Sequence, residues 1–276
     1  MGDEAKRAPW WLLLQLWGLD VLLAASLWGV AIAAFMQVVV VDEGPVLLLG
    51  VAAWMVALLV RLAGAVSDEG WYPRYYRSHF ALMLVVTLSV VMAALWLLFF
   101  YVGQSMIGEL GRVAFPMVLV FLLPVLERIG LSRASLRMCG DLVSGLVFAA
   151  ACVVPARYLC MGLDPGPAAP LWYFSVLMGL FFMMRRAWRS RAGDGAAELF
   201  VTVGLLLVMI AALATSIRAP FYERSFCVMV AMGCAALQIL IRLRRSLSAD
   251  ALFAIGWLVM ALPPVLCMVM FTPESW

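Results

Sequence analysis

The chain has 276 residues, 66% of them hydrophobic and only 13% charged, with a mean hydropathy of +1.06 and a formal net charge of +3. A water-soluble domain keeps roughly a quarter of its residues charged, so this composition excludes one and describes an integral membrane protein. Nucleic acid is not implied by the small positive charge, because the 18 arginines and one lysine fall almost wholly in the breaks between long apolar runs.

Apolar runs read against polar breaks predict an all-α polytopic bundle of about nine transmembrane helices, forming a single integral membrane domain over residues 1–276. The spans fall at about 11–38, 45–66, 79–102, 113–129, 139–158, 170–187, 197–217, 222–242 and 250–271. The first has a basic start and an Ala-rich end like a signal peptide, but its apolar run is too long for one, so it reads as an uncleaved helix. Inside it lies Asp20, where a lone carboxylate must be protonated or paired. Two roles stand for it: a hydrogen bond to a neighbouring helix, or a place in a ligand site.

After the second span comes the stretch "VRLAGAVSDEGWYPRYYRSHF" (60–80), which reads as a polar loop and holds the only histidine, His79. Arg61 either snorkels to the interface from the helix end or belongs with Arg74, Arg77, His79 and the nearby aromatic rings. That cluster suits phosphate through charge-assisted hydrogen bonds, and equally a headgroup belt against anionic lipid. The fourth span carries Pro116 and Pro124 and reads as kinked. Asp141 in the fifth span and Glu127–Arg128 at the end of the fourth read as interhelical pairs. The break "RRAWRSRAGDG" repeats the basic aromatic theme with Arg185, Arg186, Arg189, Arg191 and Trp188, and adds Asp194. All six cysteines lie in or beside apolar runs without a CxxC spacing, so they read as small buried hydrophobes rather than a zinc or disulfide set.

Alternate breaks collect 15 of the 19 basic residues on one side, leaving Arg112, Arg157, Arg218 and Arg224 on the other. The positive side stays in the cytoplasm, which predicts a cytoplasmic N-terminus, nine spans and a C-terminus outside.

Four stretches carry a resemblance to the UbiA superfamily of membrane-embedded prenyltransferases. "LWGLDVLLAASLWGVAIAA" is similar to that family's first helix, with Asp20 at its aspartate and Val21 and Leu22 where lysine and proline stand. Residues 60–80 occupy the place of its first Asn/Asp-x-x-x-Asp motif. "GDLVSGLVFAAACVVP" (140–155) and "RRSLSADALFAIGWLVMALPP" (244–264) resemble segments of an uncharacterised bacterial UbiA-like branch. The resemblance implies a bacterial inner-membrane protein whose partners are membrane lipid and a prenyl diphosphate, the latter held in the family by Mg²⁺ on two acidic clusters. Here Val60–Gly64 carries no carboxylate, and Asp68, Glu69 and Asp194 are the acids left across both loops.

The expectation is therefore a UbiA-like protein that binds an isoprenoid or other lipid with an anionic head in a cytoplasm-facing cavity, without the family's standard Mg-dependent transfer. Its binding residues would be Asp20, Arg61, Asp68, Glu69, Arg74, Arg77 and His79, with Arg185, Arg186 and Arg189 opposite. One alternative is an active isoprenoid transferase with Mg²⁺ on Asp68, Glu69 and Asp194. Another is a small-molecule or lipid transporter, a flippase or a membrane scaffold. Oligomeric state and acceptor are not written in the sequence.

Overall fold

The computed structural model describes residues 12–38, 43–67, 71–101, 106–109, 111–112, 133–160, 168–189, 195–244 and 246–270. Among them there are helices and no strands, as a chain with apolar side chains on every face requires when backbone groups must be satisfied within each segment. The helices are α1 Leu13–Leu16, α2 Leu19–Phe35, α3 Gly44–Ser67, α4 Trp71–Ser78, α5 Phe80–Phe100, α6 Arg133–Leu159, α7 Ala168–Arg189, α8 Gly195–Arg218, α9 Phe221–Leu243 and α10 Ala249–Met270.

Seven of these, α3 and α5 to α10, are long and apolar enough to cross a membrane, and α2 is a shorter apolar helix. Their bounds follow the apolar runs closely. The predicted fourth span, 113–129, with Pro116, Pro124 and Glu127–Arg128, lies outside the described residues. Two readings of the sequence are corrected. The first span is not one rod, because the chain turns at Trp17–Gly18 between α1 and α2, with Gly18 at φ +75°. Residues 60–80 are not a loop, because α3 runs on to Ser67 and Trp71–Ser78 forms α4.

Short α2 is the centre of the bundle. It packs against α3, α6, α9 and α10, and its alanines and Gly29 let those backbones come close, as small residues do where helices meet in lipid. Trp28 is its fully buried anchor, 4.5 Å from Phe174 of α7 and 6.0 Å from Phe226 of α9 between ring centres. α6 and α7 approach still more tightly: a Cβ on Gly145 would lie 2.5 Å from Gly179 Cα. By contrast α5 packs mainly against α3, and just 22% of its apolar window is buried. Its outer residues, Val85, Leu88, Met92 and Phe99 among them, present an apolar surface suited to lipid tails.

α10 crosses the core with Pro263 and Pro264 inside it. Proline has no N–H, so Pro264 leaves the carbonyl four residues earlier, that of Met260, without its helical partner. The Trp28 indole N–H donates to that carbonyl at 2.8 Å. One buried side chain thus both fills the core and mends the proline break.

Candidate functional site

The basic end of the bundle is built where the ends of eight helices meet. α3 ends beside the start of α2 through Arg61 and Asp20, and α4 is pinned to α1 by Tyr76. Arg244 at the end of α9 meets Glu198 of α8 at 2.6 Å and donates to the Ala187 carbonyl of α7 at 3.1 Å. Trp188 of α7 meets Phe253 of α10 edge to face at 6.1 Å.

The break between α1 and α2 supplies the polar heart of this end. A chain that leaves the helical path frees carbonyls, and at membrane depth each needs a donor. Three successive carbonyls accept from a side chain, that of Gln15 in addition to the Gly18 N–H. Arg61 Nη1 donates to the Gln15 carbonyl, the Tyr76 hydroxyl to that of Leu16, and Trp54 Nε1 to that of Trp17 at 2.5 Å. Gly18 makes the turn possible for two reasons: its backbone is left-handed, and a Cβ there would sit 2.9 Å from Arg61 Nη1.

Beyond the turn, Asp20 occupies the first turn of α2, where a carboxylate faces the positive end of the helix dipole. Its side chain is wholly buried and accepts from Arg61 Nη2 at 3.1 and 3.5 Å, and the Arg61 side chain is 9% exposed. Arg61 therefore does not snorkel; it turns inward, bridging a carboxylate and a carbonyl. The second guanidinium, Arg185 of α7, is half-buried. Arg185 is framed by aromatic rings, 5.1 Å from the centres of both Phe253 and Trp257, 5.7 Å from Phe181 and 6.0 Å from Phe182. Such rings attract a cation through their faces and hold its orientation.

The structure thus pairs two of the residues that the sequence marks for binding, Asp20 and Arg61, and frames a third, Arg185, with aromatic rings. Arg77 and His79 are exposed at the end of α4, where His79 stacks on Tyr75 at 4.4 Å and its Nδ1 lies 2.8 Å from the Ser78 hydroxyl. Arg74 lies on α4, and Arg186 and Arg189 on α7, with their side chains not described; Asp68, Glu69 and Asp194 lie outside the described residues. Among the described residues no three His, Cys, Asp or Glu side chains gather as a metal ion needs, and the Asp20 carboxylate is already taken by Arg61.

Gln15, Trp54 and Trp257 escape a sequence reading because each sits in an apolar run and looks like a core residue. Among the cysteines, Cys152, Cys160, Cys227, Cys234 and Cys267 are buried as expected, but Cys139 is exposed on α6. Asp141 is half-buried on the same helix.

No protein-family model, no curated protein and no solved structure matches this chain.

Proposed function

We propose that this chain is a UbiA-like integral membrane protein of a bacterial inner membrane that binds an isoprenoid or other lipid with an anionic head at its arginine-rich, cytoplasm-facing end. The observation that carries the reading is the inward-turned Arg61 bonded to the wholly buried carboxylate of Asp20. Arginine presents a planar fork of donors that matches phosphoryl oxygens, and a carboxylate behind it fixes the fork's direction. The distribution of buried polar groups also supports a site at one end over a transport path through both leaflets. Gln15 and Asp20 lie together at the basic end, while the buried hydroxyls of Thr87 and Ser216 each bond a carbonyl of their own helix.

Metal-dependent transfer through Asp68, Glu69 and Asp194 is the alternative within the same resemblance. Its three acids lie outside the described residues, and the binding reading routes nothing through Mg²⁺.

Purified protein in lipid nanodiscs, incubated with a radiolabelled prenyl diphosphate, tests the proposal. Retention of label without Mg²⁺ and without diphosphate release is the expected result, with Arg185→Gln weakening retention about tenfold, the worth of one charge-assisted hydrogen bond. Diphosphate release that requires Mg²⁺ would favour the transferase, and absence of retention in either condition would sink both readings.

A further inference from the structure

The start of α8 and the end of α9 form a cleft of about 500 Å³ lined by Glu198, Ile241, Arg242 and Arg244. Two membrane-crossing segments stop there, Ala197–Arg218 with its first turn and Phe221–Leu243 with its last. The cleft therefore sits at the level of lipid headgroups, with the hydrocarbon layer beginning beside it. None of its lining residues belongs to the Asp20–Arg61 cluster, and what it binds is independent of the reading above.

Polar contacts hold the cleft in shape. Arg244 Nη1 donates to Glu198 Oε2 at 2.6 Å, while Nη2 donates to the Ala187 carbonyl of α7 at 3.1 Å. One turn deeper, Gln238 Nε2 donates to the Thr202 carbonyl at 2.8 Å and ties α9 to α8. Arg244 thus orients the Glu198 carboxylate, whose Oε1 still has lone pairs to give. Arg242 is exposed beside it. Away from these charges the surface turns apolar, with Ile239 exposed one turn before Arg242 and Leu199 and Val203 exposed on α8. A carboxylate oxygen, a guanidinium and an apolar flank share one space.

We propose that this cleft binds a bilayer phospholipid whose head is a zwitterion with a primary ammonium, phosphatidylethanolamine being the simplest. The Arg242 guanidinium donates to the phosphodiester oxygens, and the ammonium, which has three N–H donors, gives one to Glu198 Oε1. The acyl chains lie along Ile239, Leu199 and Val203. A choline head carries the same two charges but no N–H, so it loses the hydrogen bond to Glu198. A glycerol head brings the phosphate's negative charge without a cation and sets it against the Glu198 carboxylate. Arg244 does not tip this balance toward an anion, because its charge is already spent on Glu198 and its second nitrogen on a carbonyl.

The test exposes full-length protein in detergent micelles to an equal mixture of phosphatidylethanolamine, phosphatidylcholine and phosphatidylglycerol with identical acyl chains. Native mass spectrometry then counts the lipids that stay bound. The parent protein should retain the ethanolamine lipid about two- to fivefold over each of the others, the range of one exposed ion pair. Glu198→Gln should abolish the preference over the choline lipid and raise the share of the glycerol lipid. Arg242→Gln should lower retention of the ethanolamine lipid by a similar factor, and it decides alone if Glu198→Gln does not fold. Equal retention of the ethanolamine and choline lipids by the parent would overturn the proposal. Preference for the glycerol lipid would make the cleft a plain anion site and overturn it as well. If Glu198→Gln keeps the preference, or Arg242→Gln keeps the parent's retention, the lipid sits elsewhere and the assignment to this cleft falls.

Discussion

At Trp17–Gly18 the freed carbonyls of Leu16 and Trp17 are met by Tyr76 and Trp54, and that of Gln15, which keeps the Gly18 N–H, also takes Arg61, whereas at Pro264 the freed carbonyl of Met260 is met by Trp28 alone. Both breaks obey the rule that a backbone group out of reach of water must find a donor. They differ in what the donor brings. Trp28 brings an apolar ring that belongs in the core. Arg61 brings a charge, which at this depth needs the carboxylate of Asp20. A proline break is repaired within the core, while the glycine break draws ionic groups inward and creates a polar site.

The most severe way to break that comparison is to remove Arg61. Arg61→Ala leaves Asp20 buried without its hydrogen-bonded partner, and losing one member of a buried pair costs about 3–5 kcal/mol. Denaturant unfolding of the purified protein in detergent measures it. The double variant Asp20→Leu with Arg61→Met, which removes both charges while keeping volume, should recover most of the loss. A loss below about 1 kcal/mol for Arg61→Ala alone would mean that the pair behaves as a solvated surface pair and that the two breaks are alike.

A smaller effect is expected at the proline break. Trp28→Phe removes the donor to Met260 and some ring volume, leaving a buried carbonyl unsatisfied, for about 1–3 kcal/mol by the same unfolding measurement. Tyr76→Phe removes one donor among three at the glycine break while keeping the ring that packs with Leu16 and Met83. It should cost about 1 kcal/mol, the net worth of an ordinary hydrogen bond. If Tyr76→Phe proves the costlier of the two, the three donors act as a cooperative unit rather than as separate repairs.

How far the fold is legible in the sequence follows from the same physics. The spans from α3 onward are readable because an unbroken apolar run of about 20 residues has few alternatives in a bilayer, and the described helix ends fall within a few residues of the predicted ones, apart from the start of α6. The glycine break is not readable, since "LWGLD" lies within an apolar run and glycine is common in membrane helices. Asp20 demands a partner on composition alone, but nothing in the local pattern says that it is Arg61, which resembles a snorkelling helix-end arginine. Their pairing depends on α2 and α3 running antiparallel in contact. Trp257 is the hardest case: in "AIGWLVM" it is one more apolar residue, and only its orientation leaves the indole N–H without an acceptor.

The smallest expected effect comes from a second arginine–carboxylate pair at the same end of the bundle. Arg244 and Glu198 meet at 2.6 Å, shorter than Arg61 and Asp20, yet their side chains are 21% and 38% exposed. If distance governed strength, this pair would be the stronger. Exposure governs instead, because water screens the attraction and solvates whichever partner is left behind. Glu198→Gln should therefore cost below about 1 kcal/mol in the same unfolding assay. Raising the salt concentration should erase that cost, since charges open to solvent are screened at molar ionic strength. The cost of Arg61→Ala should stay nearly constant across the same range, because ions do not reach a carboxylate with no exposed side-chain surface. Equal salt dependence for the two variants would mean that the Asp20 site is open to water, and with it the reason for treating the glycine break as a buried polar site would disappear.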